Sequence, residues 1–143
     1  MAEKKYEKYV VSELNVPQWR IDYGERFPGG GTMLGWLSND VVEGAFHVET
    51  LLFLPGENTI KNQAHTHDCD EVVGFFGFDT SGERKLNGEV EFWLEDESYV
   101  FTKSTMLFVP RGMQHCPMII RRVDIPIFHF TIMPNGEYAR EFV

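Results

Sequence analysis

The chain is divided into short stretches of strand-forming residues, each closed by a cluster of turn-forming residues. The candidate strands are Met33–Ser38, Ala45–Leu54, Glu71–Phe78, Glu89–Glu95, Ser98–Lys103, Met106–Val109, Met118–Arg122 and Ile127–Met133. Turn sequences such as Pro55-Gly56-Glu57-Asn58 and Asn87-Gly88 lie between them. Many short strands with regular turns are typical of a β-sandwich or β-barrel. The sequence therefore predicts an all-β fold with little helix, and only Glu3 to Leu14 offers a stretch compatible with a helix of any length.

The length of the chain, 143 residues, fits one domain. A domain of this size buries roughly 70% of the surface that its unfolded chain exposes, so it needs no disulfide or structural metal to fold. Cys69 and Cys116 could pair only with each other, and nothing indicates a secreted disulfide framework. The twelve phenylalanines suit a packed barrel core. We expect a single domain over residues 1–143.

Charge and hydropathy exclude several function classes. A net charge of −9 with scattered Lys and Arg argues against a nucleic-acid partner. Met1 to Lys8 is charged and lacks the apolar stretch of a signal peptide, and no apolar run approaches the roughly 20 residues that span a bilayer. The Gly29-Gly30-Gly31 run lacks the following helix of a phosphate-binding loop, so we expect no nucleotide cofactor. These features favour a soluble, cytoplasmic protein without a membrane partner.

The segment Ala64–Glu71 carries the first candidate metal ligands. Residues two apart on a strand point to the same face, so His65 and His67 should project together. A turn over Asp68-Cys69-Asp70 could then bring Glu71, at the head of an apolar strand, to face the two imidazoles. Nitrogen and carboxylate donors at this spacing suit a divalent ion, although a short His-rich segment on its own is equally compatible with an exposed loop.

A second segment strengthens the metal hypothesis. An apolar strand, Met106–Val109, is followed by the turn Pro110-Arg111-Gly112 and then by His115. Such a turn can place His115 beside a neighbouring strand, where it would complete a set of three His and one Glu.

Together the two segments resemble the two signature motifs of the cupin superfamily, over roughly Gly56 to Ile119 (residues 56–119). His65, His67 and Glu71 stand at the ligand positions of the first motif. The second motif is matched by a Pro-x-Gly turn and by His115. The resemblance implies a double-stranded β-helix, or jelly-roll, barrel that binds one divalent metal ion, Mn, Fe, Ni, Zn or Cu, through these four residues. Four protein ligands would leave a coordination position for water or substrate.

The sequence departs from the family motifs outside the ligand positions. Gly56 lies three residues too far upstream of His65, and Gly77 comes one residue early after Glu71. Ser104 stands where the second motif begins with Gly, and Ile119 replaces its final Asn. These differences affect turn geometry and loop length rather than metal ligation.

Three further polar residues are candidates for catalysis. His47 and Glu49 share one face of a strand, and His129 lies on another. Each could serve as an acid or base near the metal, while the alternative is a hydrogen-bonded wall or surface residue. Cys69 and Cys116 lie close to proposed ligands, but buried thiols of this kind more often fill turns or cores.

Three function classes remain open. The first is an enzyme, of oxygenase, isomerase or decarboxylase type, that acts on a small oxygen-rich molecule in a pocket with mainly apolar walls of Phe, Trp, Leu and Met. The second is a non-catalytic module that binds or senses a small ligand, and the third is a structural barrel. We also expect a homodimer that uses the N-terminal arm, residues 1–20, because an open barrel leaves a strand edge to cover.

Overall fold

A computed structural model describes residues 4–26, 31–134 and 141–142. Two of the three residues of the Gly29-Gly30-Gly31 run therefore lie outside the described residues. The described chain begins with a 3₁₀ turn, Glu7–Tyr9, and one helix, α1 (Gln18–Arg26). The strands are β1 (Thr32–Leu37), β2 (His47–Phe53), β3 (Thr59–Lys61), β4 (His65–Thr66), β5 (Glu71–Phe76), β6 (Lys85–Leu94), β7 (Glu97–Lys103), β8 (Thr105–Val109), β9 (His115–Val123), β10 (Ile127–Met133) and β11 (Glu141–Phe142).

The strands form two antiparallel sheets, which confirms the predicted all-β fold. One sheet has the strand order β1-β2-β10-β5-β8, and the other has the order β11-β4-β9-β6-β7, with β3 also paired to β9. All the strands predicted from the sequence are present with slightly shifted ends. The short strands β3, β4 and β11 were not predicted, because two or three residues show no hydrophobic period.

The core lies between the two sheets. Phe53 and Phe75 of the first sheet pack in one cluster with Phe92 and Ile120 of the second, and all four are nearly or fully buried. The Phe75 ring lies 5.5 Å from that of Phe101 and 6.3 Å from that of Phe92. Aromatic contacts at these distances add to the stabilisation that comes from buried apolar area.

The helix prediction was wrong. Within the described part of Glu3 to Leu14 only the 3₁₀ turn Glu7–Tyr9 forms, and the helix lies further along the chain as α1. Pro17 stands directly before α1, where its missing N–H costs nothing, and its carbonyl accepts the first helical hydrogen bonds. Contacts with the barrel then hold the helix, since the ring of Trp19 lies edge-on to that of Trp36 at 5.4 Å.

Helix α1 has nine residues. Across the described ranges of the chain, no helix reaches the length and apolar character needed to cross a membrane.

Candidate metal centre

Three histidines and one glutamate meet in the barrel interior. His65 of β4 pairs directly with His115, the first residue of β9. His67 follows β4, and Glu71 begins β5. All four side chains are buried, and ring nitrogens of the three histidines lie within 4.8 Å of one another. The structure thus brings together the four residues that the sequence predicted as ligands.

Glu71 faces two of the three histidines. Its Oε1 atom lies 3.1 Å from Nε2 of His115, and its Oε2 atom lies 3.5 Å from Nε2 of His67. The two carboxylate oxygens therefore reach different imidazoles, as expected of a carboxylate that shares a site with them.

Backbone carbonyls orient two of the imidazole rings. Nδ1 of His65 donates to the carbonyl of Gln63 at 2.6 Å, and Nδ1 of His115 donates to the carbonyl of Met113 at 3.0 Å. With the proton on Nδ1, the Nε2 atom carries a lone pair, which is the arrangement that metal-binding histidines adopt.

The donor set fits a cation. Nε2 of His115 is buried without a hydrogen-bond partner and lies against a carboxylate oxygen. These two atoms are both hydrogen-bond acceptors, and their close contact in a buried site is unfavourable unless a positive charge lies between them. Three imidazole nitrogens and one carboxylate are typical ligands of a divalent transition metal.

Hydrogen bonds join the turns of the two segments that carry the candidate ligands. The backbone N–H of Arg111 donates to the carboxylate of Asp70 at 2.9 Å, and its Nε donates to Asp68 at 2.7 Å. The backbone N–H of Gly112 donates to the carbonyl of His67 at 3.0 Å. These bonds hold the turn that follows His67 against the turn that precedes His115.

One departure from the family motifs, Ser104, has a structural role. Ser104, which replaces the first glycine of the second motif, accepts a hydrogen bond from the N–H of Gly77 at 3.0 Å. The end of the first motif is thereby fixed to the start of the second.

A cavity of about 230 Å³ opens beside the four residues. His65, Glu71 and His115 form part of its wall. The remaining lining residues come from α1 and from both sheets: Arg20, Tyr23, Gly24, Gly31, Met33, Glu49, Leu51, Lys61, Asn62, Val73, Phe92, Cys116, Met118, His129 and Thr131. The predicted wall of Phe, Trp, Leu and Met is therefore wrong, because much of the lining is polar or charged and none of its described residues is Trp.

Glu49 lies in the cavity wall between two basic side chains. Its Oε1 atom is 3.2 Å from Nε of Arg20 and 3.2 Å from Nε2 of His47. Burial acts to raise the pKa of Glu49, but the hydrogen bond from His47 and the charge of Arg20 outweigh it and hold this pKa below its ordinary value. Glu49 is therefore an ionised carboxylate at the cavity.

His47 lies behind Glu49 rather than in the cavity wall. It is fully buried, and its ring lies edge-on to Trp36 at 4.9 Å. The structure thus places His47 where it can orient Glu49 but not where it can touch a molecule in the cavity.

His129 lines the cavity as a neutral imidazole. Its ring stacks on Phe75 at 4.6 Å and on Phe53 at 5.3 Å, and Nδ1 donates to the carbonyl of Gly74 at 3.0 Å. Burial lowers the pKa of His129 to about 4, against the weaker opposing effect of that carbonyl. Nε2 can therefore accept a hydrogen bond at neutral pH, but the ring carries no spare proton.

The two cysteines stand apart from the predicted ligand set. Cys116 is buried and lines the cavity, whereas Cys69 is partly exposed in the turn after His67, and neither forms a disulfide. In the described residues, the cluster of convergent ligand atoms contains histidine nitrogens and no sulfur.

Comparison with known proteins rests on structure alone, because no family profile and no curated sequence matches the chain. Oxalate oxidase in complex with glycolate superposes with a TM-score of 0.52 at 15% identity, over 80% of this chain and 56% of its own. The Lactobacillus farciminis oxalate decarboxylase formate complex superposes with a TM-score of 0.53 at 14% identity, over 79% of this chain and 31% of its own. The chain has the cupin fold.

This cupin fold spans little more than half of the oxalate oxidase chain and under a third of the decarboxylase chain. At these identities the likeness concerns the backbone, so what the neighbours act on does not transfer directly to this chain. The cupin motifs recognised in the sequence and the fold observed in the structure agree.

Among the cavity residues that sequence reasoning missed are two cations, Arg20 and Lys61, and the neighbouring Asn62. Arg20 belongs to the helix that was not predicted, and Lys61 and Asn62 belong to β3 and the turn after it. No local pattern singles these residues out, although Lys61 and Asn62 closely precede the His-x-His pair.

Proposed function

We propose that the chain is a metal-dependent cupin enzyme that acts on a small, oxygen-rich organic molecule. The observation that carries this proposal is the cavity of about 230 Å³ beside His65, His67, Glu71 and His115, which together are called the His–Glu cluster. Its wall includes three of these residues, His65, Glu71 and His115, and the ionised carboxylate of Glu49. A metal ion that only stabilises the fold needs no cavity beside it, whereas a catalytic metal ion needs an open coordination position.

Each residue of the site has a proposed role. His65, His67, Glu71 and His115 would hold one divalent ion, which would supply Lewis-acid or oxygen-activating chemistry. Glu49 acts as the general base, since it is ionised and lines the cavity. Arg20 and His47 are positioning residues that fix the Glu49 carboxylate by hydrogen bonds.

His129 and the rings around it shape the reaction space. The imidazole accepts a hydrogen bond from the bound molecule through Nε2, since Nδ1 is committed to Gly74. The flanking rings of Phe53 and Phe75 exclude water from that side of the cavity.

The test combines metal analysis with a turnover screen. Metal-loaded protein is assayed for oxygen uptake and product formation with catechols, β-diketones, keto acids, oxalate and glycolate. We expect metal-dependent turnover of at least one of these compounds. Glu49→Gln should retain the metal and lower kcat about 100-fold, the usual contribution of a general base, whereas the exposed control Glu43→Gln should be unchanged. Metal-loaded protein that binds these compounds and converts none of them would contradict the enzyme and favour a binding module.

We further propose that the protein forms a homodimer through its N-terminal arm. In the described part of the arm, Tyr6, Tyr9 and Val10 are 62%, 62% and 70% exposed, respectively. Exposed apolar side chains so close together favour association. Light scattering at micromolar concentration should give about twice the chain mass of 16.6 kDa, and Val10→Asp should shift the protein toward monomer. A wild-type mass near that of one chain would refute the dimer.

A further inference from the structure

Lys61 places a positive charge in the cavity without a carboxylate to neutralise it. The side chain is partly buried and lines the same cavity as the His–Glu cluster. Its Nζ atom lies 5.0 Å from the centre of the Phe53 ring. No carboxylate from the described ranges lies within ion-pair distance of this ammonium. A partly buried charge that no ion pair neutralises is costly, so it indicates a ligand that supplies the opposite charge.

The other cation of the cavity is already engaged. Arg20 forms an ion pair with Glu49 at 3.2 Å, so those two charges offset each other. The remaining carboxylate in the wall, Glu71, faces the histidines and would be outweighed by a divalent ion there. With His129 neutral, Lys61 and such an ion would leave the cavity with an excess of positive charge, although the chain as a whole carries −9.

The surroundings of Lys61 keep its charge available at neutral pH. Burial lowers the pKa of Lys61 to about 8, while the charge of Glu57 opposes this change, Arg20 adds to it and Glu49 opposes it. The ammonium is therefore mostly protonated at pH 7 and loses its proton just above physiological pH.

We propose that the substrate is a small organic acid with one carboxylate bound by Lys61 and a second oxygen group facing the His–Glu cluster. This inference rests on the proposed metal-dependent function and specifies its substrate class. The ammonium and the carboxylate form a charge-assisted hydrogen bond inside a partly dry cavity. The cavity volume of about 230 Å³ equals that of between seven and eight waters at about 30 Å³ each, which suits an acid of a few carbons.

The experiment compares dicarboxylates with their uncharged counterparts. Malonate, succinate, glutarate and their diamides are titrated calorimetrically into metal-loaded protein and into protein stripped of metal. The wild type should bind at least one dicarboxylate about tenfold more tightly than its diamide. Lys61→Met should lose about tenfold in affinity for that dicarboxylate and less than threefold for the diamide. Lys103→Met, which removes an exposed lysine of β7, is the matched control and should change neither affinity.

The pH dependence distinguishes the effect of the Lys61 charge on binding from the effect of its side-chain size. Above pH 8 the wild type should bind the dicarboxylate more weakly as Lys61 deprotonates, whereas Lys61→Arg should keep its affinity because the guanidinium stays charged. Glu57, Arg20 and Glu49 are the charged groups that act on this lysine, and because Lys61→Arg retains all three, it controls for any contribution that they make to the pH dependence.

The outcomes for Lys61 and for the metal are independent. Equal affinity of wild type and Lys61→Met for every dicarboxylate, with metal content and circular dichroism unchanged, would overturn the proposal and leave the metal-dependent function standing. Failure of the wild type to bind any of the acids would also overturn it. A wild type that takes up no metal would refute the proposed function instead, and the stripped-protein titrations would still decide whether Lys61 binds carboxylates.

Discussion

His115→Ala should lower the affinity of the protein for its divalent metal by more than about 100-fold. The loss of a residue that only orients a ligand already costs about 10- to 100-fold, and His115 offers a donor atom itself. Its Nε2 atom is the one that lies 3.1 Å from Glu71, so the substitution also leaves that carboxylate without its nearest imidazole. His67→Ala should have an effect of the same size, because Nε2 of His67 lies 3.5 Å from the other Glu71 oxygen.

The metal content is measured by elemental analysis, and the affinity by competition with a chelator of known strength. His129→Gln is the matched control, since His129 lines the same cavity but stands outside the His–Glu cluster. It should retain one metal ion per chain. Full metal retention by both alanine variants would show that the ion, if bound, is held elsewhere.

Gly77→Ala should lower the free energy of unfolding by about 3 kcal/mol, the upper part of the range for overpacking a close contact. An added Cβ at this position would overlap the backbone carbonyl oxygen of Lys85 and come within 2.9 Å of Leu86 Cα. Both neighbours belong to the backbone of β6, and Leu86 is fully buried, so neither can move aside cheaply. The close approach of the two chain segments explains why a glycine near this motif position is needed.

The Gly77 effect is measured by urea denaturation, with Gly82→Ala as the control. Gly82 has a φ of +87° but no atom within 4 Å of an added Cβ. Its replacement should cost about 1 kcal/mol through backbone conformation alone. Equal losses for the two variants would contradict the steric explanation.

The fold could be predicted because its signals are local. Alternating strands and turn residues are visible within windows of ten residues, and every predicted strand is present. The ligand set could be predicted because His65 and His115 sit at fixed distances from turns, and the structure pairs these two residues directly across β4 and β9.

Helix α1 could not be predicted, because its stability comes from distant contacts. Trp19 packs on Trp36, and Arg20 binds Glu49 across the cavity. Neither contact leaves a signal in the helix sequence itself, which includes Gly24 and so has modest helix propensity.

The polar cavity wall could not be predicted from aromatic content either. Phe46, Phe78 and Phe108 are between 56% and 62% exposed, so a count of phenylalanines does not show which of them face inward. Lys61 lies in a three-residue strand whose pairing with β9 is decided by tertiary structure. The residue with the clearest bearing on the substrate class is thus one that no sequence pattern marks.

Anomalous X-ray diffraction, at the absorption edge of the metal found in the purified protein, tests the central claim most directly. We predict one anomalous peak per chain, about 2.0–2.3 Å from a ring nitrogen of each of His65, His67 and His115 and from a carboxylate oxygen of Glu71. At least one further position on the ion should be taken by water or a small molecule. A cluster without a peak, or an ion bonded to the sulfur of Cys69 or Cys116, would contradict the account.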